Sequence, residues 1–373
     1  MKIAFLVTHL LGTGHLARTS KIADAFARAG HEALVLSGGR AAPLAAPKTA
    51  RLLQLPPVHS DATFTALYED SGTPASEALL RARIGAIRDA LHAYAPDVLV
   101  TELFPFGRRK LTAEFEAAIA AAGRALILSS IRDILQPPRK TGRKDEAESR
   151  FSRLYHGALF HGDNSLAGLS ESWPLPDSLR PMIHETGYIG EAGADTGTAR
   201  KGDGEILVSA GGGAVGDALF GASVAAASLM PGFRWRLLVG GSDCASRIAA
   251  LGPLPGNACA EPVRPDFHAL LARCRVAVLQ CGYNTALDVV ATGARAVFCP
   301  FEGEGETEQL HRAGAMARRY GTGLIREGAL TAQGLAEAIA AQTDTPKPDY
   351  SALKLNGAAR SVEIVETMLR EGS

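Results

Sequence analysis

The stretch Leu279–Met316 constrains the fold more than any other part of the chain. The apolar run Val276–Leu279 predicts a buried strand that ends in a turn of small residues, Cys281-Gly282. A helix is expected from Tyr283, and a second apolar strand follows at Ala296–Cys299. A strand, a helix and another strand in this order predict a parallel sheet with helices packed on its faces.

The turn at Cys281-Gly282 has the character of an anion-binding site. In a parallel sheet, the loops that leave the carboxyl ends of the strands line the ligand crevice. The first N–H groups of a helix at Tyr283–Ala291 lack partners within the helix and carry partial positive charge, which suits a diphosphate. The carboxylate of Asp288, further along this helix, can accept hydrogen bonds from both hydroxyls of a ribose. We therefore interpret this turn as a binding site for a sugar nucleotide.

Size and composition limit the alternatives. The chain has 373 residues, more than one hydrophobic core usually carries, which predicts two domains. The formal net charge is zero, so no long-range field favours nucleic acid as a partner. The five cysteines form no Cys-x-x-Cys pair, which is typical of reduced thiols in a cytoplasmic protein. No apolar run approaches the roughly 20 residues of a membrane span, and the N-terminus predicts a first strand rather than a signal peptide.

The first half opens with its own strand, turn and helix. The apolar run Lys2–Thr8 predicts a buried strand, and Gly12-Thr13-Gly14-His15 follows it. This turn lacks the Gly-x-Gly-x-x-Gly spacing of a dinucleotide site. Gly12 and Gly14 let the backbone approach a ligand closely, and His15 opens the next helix over the crevice. The alternative role for His15 is that of a helix residue bonded to backbone.

Three polar residues are expected on the same rim as His15. Glu102 follows a predicted strand, and Arg132 and Asp133 follow the next one. The carboxyl ends of parallel strands meet at one edge, so these side chains should converge. The alternative for Arg132 and Asp133 is a structural ion pair between loops.

The other segments of the first half carry less information. Residues 39–74 lack periodicity and predict a long connection. Residues 137–148 are charged and predict a mobile surface segment, and Tyr188-Ile189-Gly190 predicts a last strand.

The second half begins after a polar linker. We expect a first domain at 1–190, a linker at 191–204, a second domain at 205–357, and a last helix at 358–373 that crosses back to the first domain. Gly211, Gly212 and Gly213 follow the first strand of the second domain. Three consecutive glycines indicate a phosphate-binding turn, with a tight packing turn as the alternative.

These patterns resemble the GT-B glycosyltransferases, above all the family that transfers N-acetylglucosamine to a lipid-linked muropeptide. The resemblance covers nearly the whole chain and implies two Rossmann-like α/β domains facing across a cleft. It rests on four motifs: Gly12-Thr13-Gly14-His15, Ala210-Gly211-Gly212-Gly213-Ala214, Cys281-Gly282-Tyr283-Asn284-Thr285-Ala286-Leu287-Asp288, and Pro300-Phe301 with Glu306-Thr307-Glu308-Gln309.

The resemblance implies a nucleotide-diphosphate sugar, with uridine diphosphate as the first candidate, in the second domain and an acceptor in the first. Asp288 stands where the family has Glu and would still bind the ribose. Glu308 replaces the first of two glutamines, so Glu308 and Gln309 would hold the hydroxyls of a sugar other than N-acetylglucosamine. Nothing in the first half specifies a lipid acceptor.

The implied reaction is the transfer of the sugar to an acceptor hydroxyl or other nucleophile. His15 is the expected base, with Glu102 and Asp133 as competing bases. No cofactor is expected. Without an Asp-x-Asp pair in the chain, metal-assisted departure of the diphosphate is not expected either. The alternatives are a nucleotide-sugar hydrolase or epimerase, and a non-catalytic relative that keeps the nucleotide site.

Overall fold

The computed structural model describes residues 1–61, 66–138, 140–190, 204–211, 215–241, 243–303 and 306–372. The chain divides into two compact units. The first comprises Met1–Asn164, Gly168–Ile189 and Asn356–Ser373, and the second comprises Ser165–Ala167 and Gly190–Leu355. Residues 191–203 of the expected linker lie outside the described residues.

The first unit is built on parallel strands. Its strands are β1 (Lys2–Val7), β2 (Glu32–Ser37), β3 (Arg51–Gln54), β4 (His59–Ser60), β5 (Leu67–Tyr68), β6 (Val98–Glu102), β7 (Leu126–Arg132), β8 (Gly157–His161) and β9 (Ile183–Glu185). Its helices before the second unit are α1 (Gly14–Arg28), α2 (Glu77–Tyr94), α3 (Thr112–Ala121), α4 (Arg143–Leu154) and α5 (Leu169–Ser172). Among the described residues, seven parallel strands form one sheet in the order β3-β2-β1-β6-β7-β8-β9, and β4 and β5 form a separate antiparallel pair.

The sequence of β1 explains why both faces of this sheet are covered. Ile3, Phe5 and Val7 pack on one face with residues of α1, while Ala4 and Leu6 pack on the other with residues of α2 and α3. A strand with apolar side chains on both of its faces is buried on both sides, as in a doubly wound fold.

The second unit repeats this plan. Its strands are β10 (Ile206–Ser209), β11 (Trp235–Val239), β12 (Ala258–Pro262), β13 (Val276–Leu279), β14 (Ala296–Phe298) and β15 (Gly323–Leu324). Its helices are α6 (Asp217–Leu229), α7 (Cys244–Ala250), α8 (Phe267–Arg273), α9 (Tyr283–Thr292), α10 (Glu308–Tyr320) and α11 (Ala332–Asp344). In the described part of the unit, six parallel strands follow the order β12-β11-β10-β13-β14-β15.

The last helix, α12 (Gly357–Glu371), belongs to the first unit. Its buried residues Val362 and Val365 lie in the same apolar cluster as Leu16 and Phe26 of α1. An amphipathic helix at the end of the chain therefore covers one face of the first sheet.

Three expectations for the first unit were wrong. The long connection at 39–74 contains β3, an edge strand whose mostly exposed side chains give no periodic pattern. Residues 143–148 of the expected surface segment begin α4, which buries Ala147 and Phe151. The last strand is β9 instead of Tyr188-Ile189-Gly190, where Ile189 forms a single bridge to Asn356.

Candidate active site

Both sheets contain the feature that places ligands in doubly wound folds. In the first unit the chain moves outward from β1 through β2 and β3 and then returns to the other side of β1 at β6. In the second unit it does the same around β10 and returns at β13. Ligands bind at the carboxyl ends of the strands at such a switch point. The candidate residues His15 and Glu102 lie at the first switch point, and Gly211 and Gly282 lie at the second.

His15 and Glu102 are in direct contact. His15 Nδ1 lies 2.9 Å from Glu102 Oε1, and the two side chains are 15% and 2% exposed. Arg18, one turn further along α1, donates a short hydrogen bond to the same carboxylate oxygen. Ser130 Oγ donates to the other oxygen, Glu102 Oε2, at 2.5 Å. The carboxylate is thus held from three sides.

The electrostatics of this group fix its protonation at neutral pH. Burial alone would raise the pKa of Glu102, but Arg18, His15 and Ser130 together lower it below its ordinary value, so Glu102 is ionised. Burial, followed by the positive charge of Arg108, lowers the pKa of His15 well below 6.5, so the imidazole is neutral. Nδ1 lies closer to the acceptor Glu102 Oε1, at 2.9 Å, than to the donor Arg18 Nη2, at 3.3 Å. Because an ionised carboxylate only accepts hydrogen bonds, we assign the proton of His15 to Nδ1 and a lone pair to Nε2.

Asp133, the third candidate base, lies in a different environment. Its side chain is fully buried, and its contacts include the backbone N–H of Ile134 at 2.9 Å and the hydroxyl of Tyr188 at 3.4 Å. A carboxylate so enclosed holds the loop after β7. Its role as a base stays a prediction, and the geometry favours His15.

The glycines of the first turn are open to the surface. Gly12 is exposed, and a Cβ placed on it would meet none of the described atoms within 4 Å. Gly14 is the first residue of α1 and is half-buried. A cavity of about 170 Å³ lies beside this turn in the first unit. It is lined by His9, Leu10, Leu11, Thr13, Arg40, Ala41, Ala42, His59 and Ser60.

At the second switch point, Gly282 caps the N-terminus of α9. Its backbone is extended at φ −63° and ψ 158°, and a Cβ there would also meet none of the described atoms within 4 Å. Tyr283 is buried, whereas Asn284, Thr285 and Asp288 are half-buried. Neither strain nor packing within the described chain therefore requires glycine at this position, which is consistent with a ligand close to the backbone.

The first turns of α10 hold the turn at Cys281 in place. Gln309 Oε1 accepts from the backbone N–H of Cys281 at 3.0 Å and of Phe301 at 3.2 Å. Arg312 Nη1 donates to the carbonyl of Cys281 at 2.7 Å, and Arg312 Nη2 donates to Glu308 Oε1 at 2.7 Å. Glu308 and Arg312 are 4% and 1% exposed. Both candidate sugar-binding side chains thus contact the protein itself, and their role toward a sugar stays a prediction.

Sequence reasoning missed Arg312 and His268. Arg312 stands four residues after Glu308, the spacing of a helical ion pair, and that spacing was the available signal. His268 Nε2 lies 2.7 Å from Oδ1 of Asp288, the candidate ribose ligand. No sequence signal joins these two, because they lie on different helices, α8 and α9.

The second glycine-rich turn is described only at its start. Gly211 adopts φ +81°, a conformation that favours glycine, and its N–H donates to Ser209 Oγ at 3.1 Å. Gly212 and Gly213 lie outside the described residues. Within the described ranges, no group of three His, Cys, Asp or Glu side chains is arranged to hold a metal ion, and none of the helices is long and apolar enough to cross a membrane.

Comparison with known proteins identifies the fold. No family model matches the chain, and no curated protein matches it. Among solved structures, the calicheamicin glycosyltransferase CalG4 matches with a TM-score of 0.64 and 17% identity over 99% of this chain and 98% of its own. MurG of Acinetobacter baumannii matches at 0.60 and 13% over 97% and 95%. The UDP-GlcNAc 2-epimerase of Methanocaldococcus jannaschii matches at 0.64 and 10% over 98% and 100%. The predicted fold, two Rossmann-like domains of the GT-B type, is confirmed.

Proposed function

We propose that this protein is a glycosyltransferase that moves a sugar from a nucleotide-diphosphate sugar, a uridine diphosphate sugar in the first instance, to an acceptor hydroxyl or other nucleophile. The observation that carries the proposal is the His15–Glu102 contact at the first switch point. It supplies a neutral imidazole with a fixed tautomer, which is what a general base needs. The likeness in fold to known glycosyltransferases supports the same assignment.

In this mechanism the first unit binds the acceptor. Nε2 of His15 accepts the proton of the acceptor hydroxyl as the oxygen attacks the anomeric carbon. The imidazolium that forms is stabilised by ionised Glu102 at Nδ1, so Glu102 acts as the partner of the base and not as its competitor. Gly12 and Gly14 admit the acceptor close to the backbone. The cavity beside them has about the volume that holds one aromatic ring in other proteins, and we propose that it takes part of the acceptor.

The second unit binds the donor. The first N–H groups of α9 donate hydrogen bonds to the leaving diphosphate and stabilise the negative charge that develops on it. These groups belong to Gly282, Tyr283, Asn284 and Thr285. Asp288 binds the ribose hydroxyls. The bond between the anomeric carbon and the diphosphate oxygen breaks, and its electron pair goes to that oxygen. The preorganised N–H donors stabilise the negative charge on the oxygen without a metal ion.

One specific observation favours a second candidate. The chain shares its fold with a UDP-GlcNAc 2-epimerase over almost its whole length. On that reading the same two sites bind a nucleotide sugar, and His15 removes a proton from the sugar or activates water. A binding protein without turnover is the third possibility.

A single experiment separates the three. The protein is incubated with nucleotide sugars that differ in base and sugar, with and without a mixture of hydroxyl acceptors. Transfer predicts free nucleoside diphosphate only when acceptor is present. Release without acceptor indicates hydrolysis, a new nucleotide sugar without release indicates epimerisation, and saturable binding without turnover indicates the third reading.

The donor base is determined beforehand by thermal shift. Uridine, guanosine, adenosine and thymidine diphosphates are tested separately, since a ligand that binds only the folded form raises the melting temperature. The proposal expects a rise with one of the four that is smaller in Asp288→Ala at the same ligand concentration. No rise with any of them would contradict it.

A further inference from the structure

A row of buried polar side chains begins at Glu102 Oε2, whereas His15 contacts the other carboxylate oxygen, Oε1. Glu102 and His161 end the strands β6 and β8, Ser130 lies two residues before the end of β7 between them, and Thr186 follows β9. None of these four residues is more than 2% exposed. Buried polar groups are costly unless they are bonded to one another, so their arrangement calls for an explanation.

The contacts form an unbroken row. Ser130 Oγ lies 2.5 Å from Glu102 Oε2 and 3.0 Å from His161 Nε2. His161 Nδ1 lies 2.9 Å from Thr186 Oγ1. Because ionised Glu102 can only accept, the single proton of Ser130 must point at Glu102.

That proton determines the direction of the others. Ser130 has no second proton, so its oxygen accepts from His161 Nε2–H. Burial, followed by the charge of Arg18, lowers the pKa of His161 to about 3, so at neutral pH the ring is neutral and carries one N–H. Its Nδ1 lies beside the hydroxyl of Thr186, whose single proton is also within reach of the carbonyl oxygens of Gly187 at 2.7 Å and Phe160 at 3.1 Å. From His161 through Ser130, the donors point toward Glu102.

We propose that Ser130 and His161 are positioning residues that hold Glu102 Oε2, so that Oε1 faces His15 and keeps its ring in the Nδ1–H tautomer. His15 and Arg18 both contact Oε1, so without Ser130 the carboxylate would be held at that oxygen alone, and its last torsion, whose energy profile is broad, would be less restricted. Anchored at both oxygens, Glu102 has one orientation. The inference rests on the proposed role of His15 as base, and it assigns Ser130 and His161 to the same reaction without contact with substrate.

The test reads the tautomer of His15 directly. The protein is labelled with ¹⁵N-histidine, and long-range ¹H–¹⁵N correlation spectra distinguish Nδ1–H from Nε2–H rings. The signals of His15 are assigned from their loss in His15→Gln. The wild type should show His15 as Nδ1–H. Ser130→Ala should shift the tautomer ratio about tenfold toward Nε2–H, the size expected for one lost hydrogen bond to a charged group. Ser130→Thr keeps the hydroxyl and should preserve the wild-type ratio.

His31 provides an internal control. Its Nε2 lies 2.9 Å from Glu366 Oε1 in the same unit, and it has no contact with this row. Its signals should be the same in all variants, which also shows that the unit is folded. If Ser130→Ala does not fold, Ser130→Cys replaces the hydroxyl by a weaker donor, and His161→Leu removes the support of Ser130.

The outcomes separate this inference from the proposed function. An unchanged His15 tautomer in a folded Ser130→Ala or Ser130→Cys protein overturns the positioning role, whatever reaction the protein catalyses. A tautomer shift in a protein that transfers no sugar supports the structural coupling and counts against the transferase. With an active transferase, Ser130→Ala should lower kcat and leave KM for the donor unchanged, and an effect on KM alone would contradict the inference.

Discussion

The two units share one architecture but place different chemistry at their switch points. At the first, ionisable side chains meet: His15, Glu102 and Arg18 lie within hydrogen-bond distance of one another and are largely buried. At the second, the backbone of the turn at Cys281-Gly282 precedes the N-terminus of α9. Arg312 donates to the carbonyl of Cys281 and is paired with Glu308, which holds this turn in place. Side chains that change protonation suit proton transfer, whereas fixed N–H groups suit a charge that is always present. The same fold can thus divide catalysis and donor binding between its halves.

The strongest test of this division is the loss of the base. His15→Ala should lower kcat about 10²- to 10⁴-fold, the usual contribution of a positioned general base, while leaving the affinity for nucleoside diphosphate unchanged. Steady-state kinetics and direct binding measure the two effects. His31→Ala removes another partly buried, carboxylate-bonded imidazole and should retain near-normal turnover. If kcat fell equally in the two variants, His15 would not be the general base.

In the second unit, substitution of Arg312 should lower the free energy of unfolding. Arg312→Met leaves Glu308 buried without its ion-pair partner and should cost about 3–5 kcal/mol, measured by urea unfolding. The double variant Arg312→Met with Glu308→Gln removes the uncompensated charge and should recover much of that loss. A single variant within about 1 kcal/mol of wild type would show that the turn at Cys281 does not depend on this ion pair.

The sequence predicted the strands, helices and candidate residues of each site better than the contacts between those residues. The apolar run Val276–Leu279 and the start of the helix at Tyr283 were correct because a buried strand and a glycine cap leave strong local signals. His15 and Glu102 were both named, but as rival bases. Their contact depends on β6 lying beside β1, and strand order is a non-local property that no local pattern encodes.

The contacts by which polar side chains hold the second site in place were missed for a related reason. Gln309 looks like a ligand-binding residue in a loop motif, yet its carbonyl oxygen bonds two backbone N–H groups at the ends of neighbouring strands. The pair of His268 and Asp288 joins two consecutive helices, and their contact depends on how α8 and α9 pack against each other. Which polar side chains bind substrate and which bind the protein is decided by packing, and composition does not reveal it.

Asp288 tests donor binding in the second unit. Asp288→Ala should weaken nucleoside diphosphate binding by about 1–3 kcal/mol if charge-assisted bonds to the ribose are lost, as measured by calorimetry. His268→Ala keeps the carboxylate and removes only its neighbour, so its effect should be smaller. The role of Asp288 fails if its variant binds the nucleotide as tightly as the wild type does.

Gly282 gives a finer test of the same site. A Cβ at Gly282 would meet none of the described atoms and its φ is ordinary, so Gly282→Ala should keep the melting temperature while weakening nucleotide binding by about 1 kcal/mol through contact with the diphosphate. Gly293, at the other end of α9, has φ +64°. Gly293→Ala should do the reverse, lowering stability and leaving affinity unchanged. Identical behaviour of the two variants would argue against a ligand at the helix N-terminus.

The smallest expected effect is the pH dependence of stability in the first unit. His15 and His161 have lowered pKa values in the folded protein, whereas an unfolded histidine has a pKa near 6.5. The unfolded chain therefore binds more protons below that pH, so stability is complete above about pH 7 and declines as the pH falls through 6.5. For the two residues together, the loss between pH 7.5 and 6.5 is about 0.7 kcal/mol. His9, His59 and His184 have lowered pKa values as well and add to the loss in both proteins. In urea unfolding, His161→Gln, which has no titrating group at that position, should therefore lose less stability than the wild type by about half of this amount. The same loss as in the wild type would mean that His161 is not held neutral by burial.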